Sequence, residues 1–167
     1  MTAALPALSV LFAVLATAVP WGLPADATFI LPLVMVMMVF CWRALPGTVL
    51  PPYLAMLFGL LTDIVSGGPL GFWALMALIS STAGGRAPLT DGQDQNWLWL
   101  VWAGVAAVIA SFGWLLASLY FVRWIDWWPI GFGALVSIAL FPVVLRGLLW
   151  IRRGRLRPGH TFYGRWS

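Results

Sequence analysis

The chain contains no lysine and no glutamate, and only one cysteine and one histidine. Each shortage closes off a class of function. Charged residues make up 8% of the 167 positions, where a soluble domain carries about 25%. With 62% hydrophobic residues and a mean hydropathy of +0.96, there is more apolar surface than a soluble fold of this size can bury. The composition therefore predicts an integral membrane protein. The single Cys41 excludes an internal disulfide and a cysteine-rich metal centre, and reads as a packing residue among apolar neighbours. His160 stands in a C-terminal basic stretch with no carboxylate close by in sequence. There is no H-E-x-x-H, Walker loop, G-x-S-x-G or acid pair at catalytic spacing. Membrane enzymes that act on phospholipid headgroups gather several acids around a metal, and here one intramembrane acid stands alone. No catalytic residue, metal site or cofactor is expected. The net charge of +4 comes from arginines gathered at the C-terminus, a signal of membrane topology and not of a nucleic-acid surface.

Apolar runs are what the chain has in abundance. Six are expected to cross the membrane, at about 3–19, 27–42, 49–65, 69–83, 97–122 and 128–150. They would form one compact all-α bundle over residues 1–150, followed by a basic cytoplasmic tail, 151–167. Ala16-Thr17-Ala18 imitates a signal-peptidase site, but no basic residue precedes the run and further spans follow it, so the first run is read as an uncleaved helix.

The stretch that organises the rest runs from Gly59 to Gly71, with Asp63, Gly67, Gly68 and Pro69 between. Gly67-Gly68 can take backbone angles closed to other residues, so the chain can reverse there. Pro69 suits the first turn of a helix, where its missing N–H costs nothing. Asp63 would then lie one turn from that helix's N-terminus, whose free N–H groups and dipole favour a carboxylate. The flanking runs, 17 and 15 residues long, reach roughly 25 and 22 Å against a hydrocarbon core of about 30 Å. Irregular backbone at such a depth must be covered by protein or by a wet cavity. Inserting a carboxylate costs roughly 2.5–3.5 kcal/mol, so Asp63 is expected to have partners, as a helix anchor, an ion-coupling site or a bond to a partner's segment.

These residues resemble the rod shape-determining membrane protein MreD. In that family a G-L-x-x-D-x-x-x-G-x-P-x-G pattern joins two central membrane helices, and Gly59-Leu60 through Gly71 match it without a gap. The match covers 13 of 167 residues; the remainder agrees in length, span count and basic tail. The resemblance implies a non-enzymatic scaffold of the cell-elongation machinery in the bacterial inner membrane. Members bind the single-span shape protein MreC, and through it link an actin-like filament to the peptidoglycan polymerase and transpeptidase. The family is similar in fold to the substrate-binding subunits of vitamin transporters. The alternative is therefore a small-ligand binder with a pocket near the hinge, although few polar residues lie within the spans.

Orientation follows from the arginines. With both termini in the cytoplasm, Arg43, Arg86, Arg146 and five tail arginines face inward, and only Arg123 faces outward, beside Asp126 as a partner. Trp21, Trp124, Trp127 and Trp128 would lie at one interface, and Trp42, Trp97, Trp99 and Trp150 at the other. In the fifth span Ala103, Ala107, Ala110 and Ala117 recur at helical spacing, a face for close helix packing within the chain or against a partner's helix. Gly133 and Ser137 offer a matching face on the sixth. Ser80-Ser81-Thr82 is expected to bond back to its own backbone. Arg152, Arg153, Arg155 and Arg157 read as a cluster held at anionic lipid.

Overall fold

A computed structural model describes residues 4–22, 29–47, 50–89 and 95–155, without the side chains of 152–155. Its helices are α1 (Ala4–Ala18), α2 (Ile30–Ala44), α3 (Pro52–Ser66), α4 (Phe72–Arg86), α5 (Gln95–Tyr120) and α6 (Trp128–Arg155), with no strand among the described residues. Two of them, α5 and α6, are long and apolar enough to cross a membrane. The first four have 15 residues each, roughly 22 Å. Helix α4 starts three residues later than Pro69, and α6 runs past Trp150, so Arg152, Arg153 and Arg155 continue the helix. Arg157, His160 and Arg165 lie outside the described residues, as do Asp26, Asp91 and Asp94.

The centre of the bundle is α2, with ten of its 15 residues buried. Helix α4 lies close along it because of Gly84: a Cβ there would sit 2.6 Å from the Phe40 carbonyl oxygen. That closeness lets polar groups pair between the helices. Ser80 Oγ donates to Val36 O at 2.8 Å, and Arg43 Nε donates to Ser81 O at 3.2 Å. Arg43 also reaches Leu50 O at 3.3 Å, fastening the loop before α3. Ser80 thus bonds across to a neighbour, whereas Thr82 bonds back to Ile79 O as expected. Ser81 Oγ has no partner among the described residues. Trp42 is core and not interfacial: it is buried, and its indole donates to Ser9 Oγ of α1 at 2.8 Å. Phe40, Trp102 and Phe141 cluster between α2, α5 and α6 with centroids 5.3 to 6.1 Å apart, Trp102 stacked on Phe141 and Phe40 inclined to both.

The inward face of α5 is Leu98, Trp102, Ala106, Ile109 and Gly113. Ala103, Ala110 and Ala117 are half-buried beside it and Ala107 is exposed, so the expected small-residue face is not the packing face within the chain. Volume decides this: Trp102 and Ile109 fill the interior, while Gly113 admits the Phe72 ring, 3.2 Å from where a Cβ would stand. Gly133 packs against Leu33 and Phe29 near α2, and Ser137 Oγ donates to Ala134 O, so neither mirrors α5.

Proline 142 lies inside α6. With no N–H, it leaves the carbonyl four residues back without its helical donor. That carbonyl is Ile138 O, and the Trp99 indole N–H of α5 donates to it at 2.9 Å. The broken rung of one helix is thereby closed by a side chain of its neighbour. Trp99→Phe should orphan the carbonyl and lower stability by about 1–3 kcal/mol. In a Pro142→Ala background, where the helical bond is restored, the same change should cost much less. Thermal unfolding of the four proteins in detergent measures this coupling, and equal losses in both backgrounds would refute it.

Candidate functional site

The one buried acid among the described residues is Asp63, in the last turn of α3. Helix α4 begins after Gly71, which occupies the cap position with φ 95° and has no side chain to cap with. Asp63 supplies the missing cap from the neighbouring helix. Its Oδ2 accepts from Gly71 N–H at 2.8 Å and from Ala74 N–H at 3.4 Å, and its Oδ1 accepts from Trp73 N–H at 2.8 Å. The remaining early donor, Phe72 N–H, goes to Pro69 O at 3.2 Å. All four N–H groups that a helix start leaves open are therefore satisfied. The carboxylate also stands at the positive end of the α4 dipole.

Two glycines set this geometry and a third supports it. Gly59 lies one turn before Asp63 on the same face of α3. A Cβ there would press on Ala74 Cα and come within 2.6 Å of Ala74 N and Trp73 O, all backbone atoms. Only glycine lets α3 come close enough for Asp63 to reach the α4 amides. Gly71 holds its left-handed angle in open space, and Gly67 ends α3 at φ 66°, a common helix stop. Gly68 does neither: its φ is not positive, and a Cβ would meet only Ser66 Oγ at 3.8 Å. The reversal assigned to Gly67-Gly68 thus belongs to Gly67 and Gly71. Pro69 lies before α4, where it contributes its carbonyl and not a first-turn ring. The Gly59–Ala74 approach was visible in sequence only as a glycine four residues before an acid.

What the crossing can do chemically is narrow. Both carboxylate oxygens are occupied by backbone donors, and the void beside Phe72, Trp73 and Gly113 encloses about 10 Å³, around the room for one water. No group of three His, Cys, Asp or Glu that could hold a metal occurs among the described residues. At the far end of the chain's long helices, Arg123 and Asp126 are both exposed. No ion pair joins them, or any other described residues, so the expected Arg123–Asp126 pair is absent.

Because each oxygen of Asp63 accepts, an amide in its place must turn its NH₂ toward a backbone N–H. Asp63→Asn should therefore cost about 2–3 kcal/mol, with Asp63→Leu costing more. Gly59→Ala should cost about 1–3 kcal/mol or more through backbone overlap. Gly68→Ala should lie within about 0.5 kcal/mol of the parent. Unfolding in detergent ranks the four, and a Gly68 variant as damaging as the Gly59 one would contradict the assignment.

No family model matches the chain, and no curated protein or solved structure matches it either.

Proposed function

We propose that this chain is a multi-pass membrane scaffold of the MreD type, holding a single-span MreC-type shape protein and acting without catalysis of its own. In this reading all six helices lie in the bacterial inner membrane with both termini in the cytoplasm, and the tail arginines rest on anionic lipid. Through its partner the chain would connect an actin-like filament to the peptidoglycan polymerase and transpeptidase.

The observation that carries the reading is the engagement of Asp63. The residues that resemble the MreD pattern are those with structural tasks here: Gly59 for close approach, Asp63 for the cap, Gly67 and Gly71 for left-handed angles, and Pro69 for a carbonyl. An acid whose oxygens are both taken by backbone donors supports an anchor and not a site of ion traffic. Membrane residence is supported by the composition and by α5 and α6. Four helices of about 22 Å suit a locally thinned bilayer. Gly71 N–H and the first-turn donors of α4 are already satisfied, which lowers the cost of irregular backbone there.

The test is capture and shape together. Tagged protein extracted from membranes of its host should bring down a single-span partner, and its depletion should turn rod-shaped cells round. Asp63→Asn should lose partner capture only in proportion to lost folded protein. Full capture with failure to support shape would assign Asp63 a role beyond anchoring. A protein that brings down no single-span partner, and whose depletion leaves cells rod-shaped, would overturn the scaffold reading.

A further inference from the structure

Between α5 and α6 lies an open groove of about 1050 Å³, with Ala107, Ala110, Ser111 and Trp114 on one wall and Gly131 and Ala134 on the other. Its walls are almost wholly apolar. The small residues Ala107, Ala110, Ser111, Gly131 and Ala134 leave this space open between larger apolar side chains such as Phe112, Leu115 and Leu135.

Its length is informative. The lining runs from Ala107 to Leu115 on α5 and from Ile130 to Ile138 on α6, with Trp127 just before that helix. Those runs rise roughly 12 Å each, under half of a hydrocarbon core of about 30 Å. Beyond that depth the seam is shut. Trp99 Nε1–H donates to Ile138 O, and Trp102 stacks on Phe141 with planes 12° apart. A spanning helix from a partner or a second copy would fill this groove over only part of its length. A dead-ended groove of under half the core's thickness fits the chain of one lipid in one leaflet.

The other end opens at the α5–α6 loop. Helix α5 closes with Val122 N–H on Leu119 O and Arg123 N–H on Ser118 O, Val122 taking a left-handed φ of 49°. The loop then folds back onto Trp114 beside the groove: Trp114 Nε1–H donates to Ile125 O at 2.7 Å and its ring stacks on Trp124. Trp124, Trp127 and Trp128 are exposed around it, as aromatic residues are at headgroup level. Arg123 and Asp126 stand exposed in this loop, and among the described residues neither has an ion-pair partner. One positive and one negative group complement the phosphate and ammonium of a zwitterionic headgroup better than a purely anionic one.

We infer that the α5–α6 groove binds one zwitterionic phospholipid, an acyl chain between the helices, its phosphate on Arg123 and its ammonium on Asp126. The inference rests on α5 and α6 crossing the bilayer, and not on the scaffold role. Full-length protein extracted in mild detergent is offered equal amounts of phosphatidylethanolamine and phosphatidylglycerol, and retained lipid is counted by native mass spectrometry. One phosphatidylethanolamine per chain should be kept in preference. Arg123→Gln and Asp126→Asn should each weaken retention about fivefold, the effect of one surface charge contact. Ala107→Phe, at an exposed position, should fill the groove and abolish retention with an unchanged melting temperature. Equal retention of phosphatidylglycerol, retention unaffected by Ala107→Phe, or a dimer or partner helix lost with Ala107→Phe would each overturn the inference. A chain held in carbonate-washed membranes that keeps no lipid overturns the inference alone. A chain washed from those membranes overturns the membrane reading as well.

Discussion

The constraint on which the structure depends is that an amide or a carboxylate in apolar surroundings must find a partner. An unpaired one costs several kcal/mol where water is excluded. At the α3–α4 crossing two such problems solve each other. Helix α4 begins at a glycine that cannot cap it, and α3 carries an acid that cannot reach water. Gly59 brings the two within hydrogen-bond distance, and the donors left at one helix start become the solvation shell of a side chain on the other. Removing either side leaves the other exposed to the full penalty, so the crossing acts as a unit.

The same rule explains polar groups elsewhere that would otherwise look accidental. Pro142 opens one carbonyl in α6 and Trp99 closes it. Ser80 and Arg43 place donors on carbonyls across the α2–α4 contact, which Gly84 makes close enough to bridge. Leu89 N–H on Ala44 O, at 2.7 Å, ties the ends of those two helices together. The side-chain bonds each join two helices, and the Leu89 bond joins the segment after α4 to the end of α2. Because apolar contact is not directional, such bonds and close backbone approaches give the packing its direction.

These devices were unequally legible in the sequence. Asp63 and its glycines could be read, because an acid inside an apolar run admits few environments and glycine before or after it signals a turn or a close approach. Helix positions were legible to within a few residues, since apolar runs set them. What could not be read was anything decided by a partner helix. Sequence spacing put Ala103, Ala107, Ala110 and Ala117 on one face but did not say whether the core needed that face or the one bearing Trp102 and Ile109. Gly67 and Gly68 look alike in sequence, and only backbone angles separate them. Trp99 and Ile138 are 39 positions apart, and nothing local to either announces their bond. Trp42 had the placing of an interfacial tryptophan until Ser9 accepted its indole inside the bundle.

The occupancy of Asp63 also limits what the crossing can exchange with its surroundings. A cation bound across both oxygens would compete with the Trp73 N–H at Oδ1 and with Gly71 and Ala74 at Oδ2. Those donors belong to the first turn of α4, and displacing them unwinds that turn. The same turn carries Trp73 and Phe72, whose rings pack toward Phe29 and Gly113, so unwinding would reach α2 and α5. Ligand exchange at the carboxylate is thus tied to disruption of three neighbouring helices, whereas a static anchor asks for no such rearrangement. The bonds that make this acid's burial tolerable are therefore also the ones a bidentate ligand would have to break.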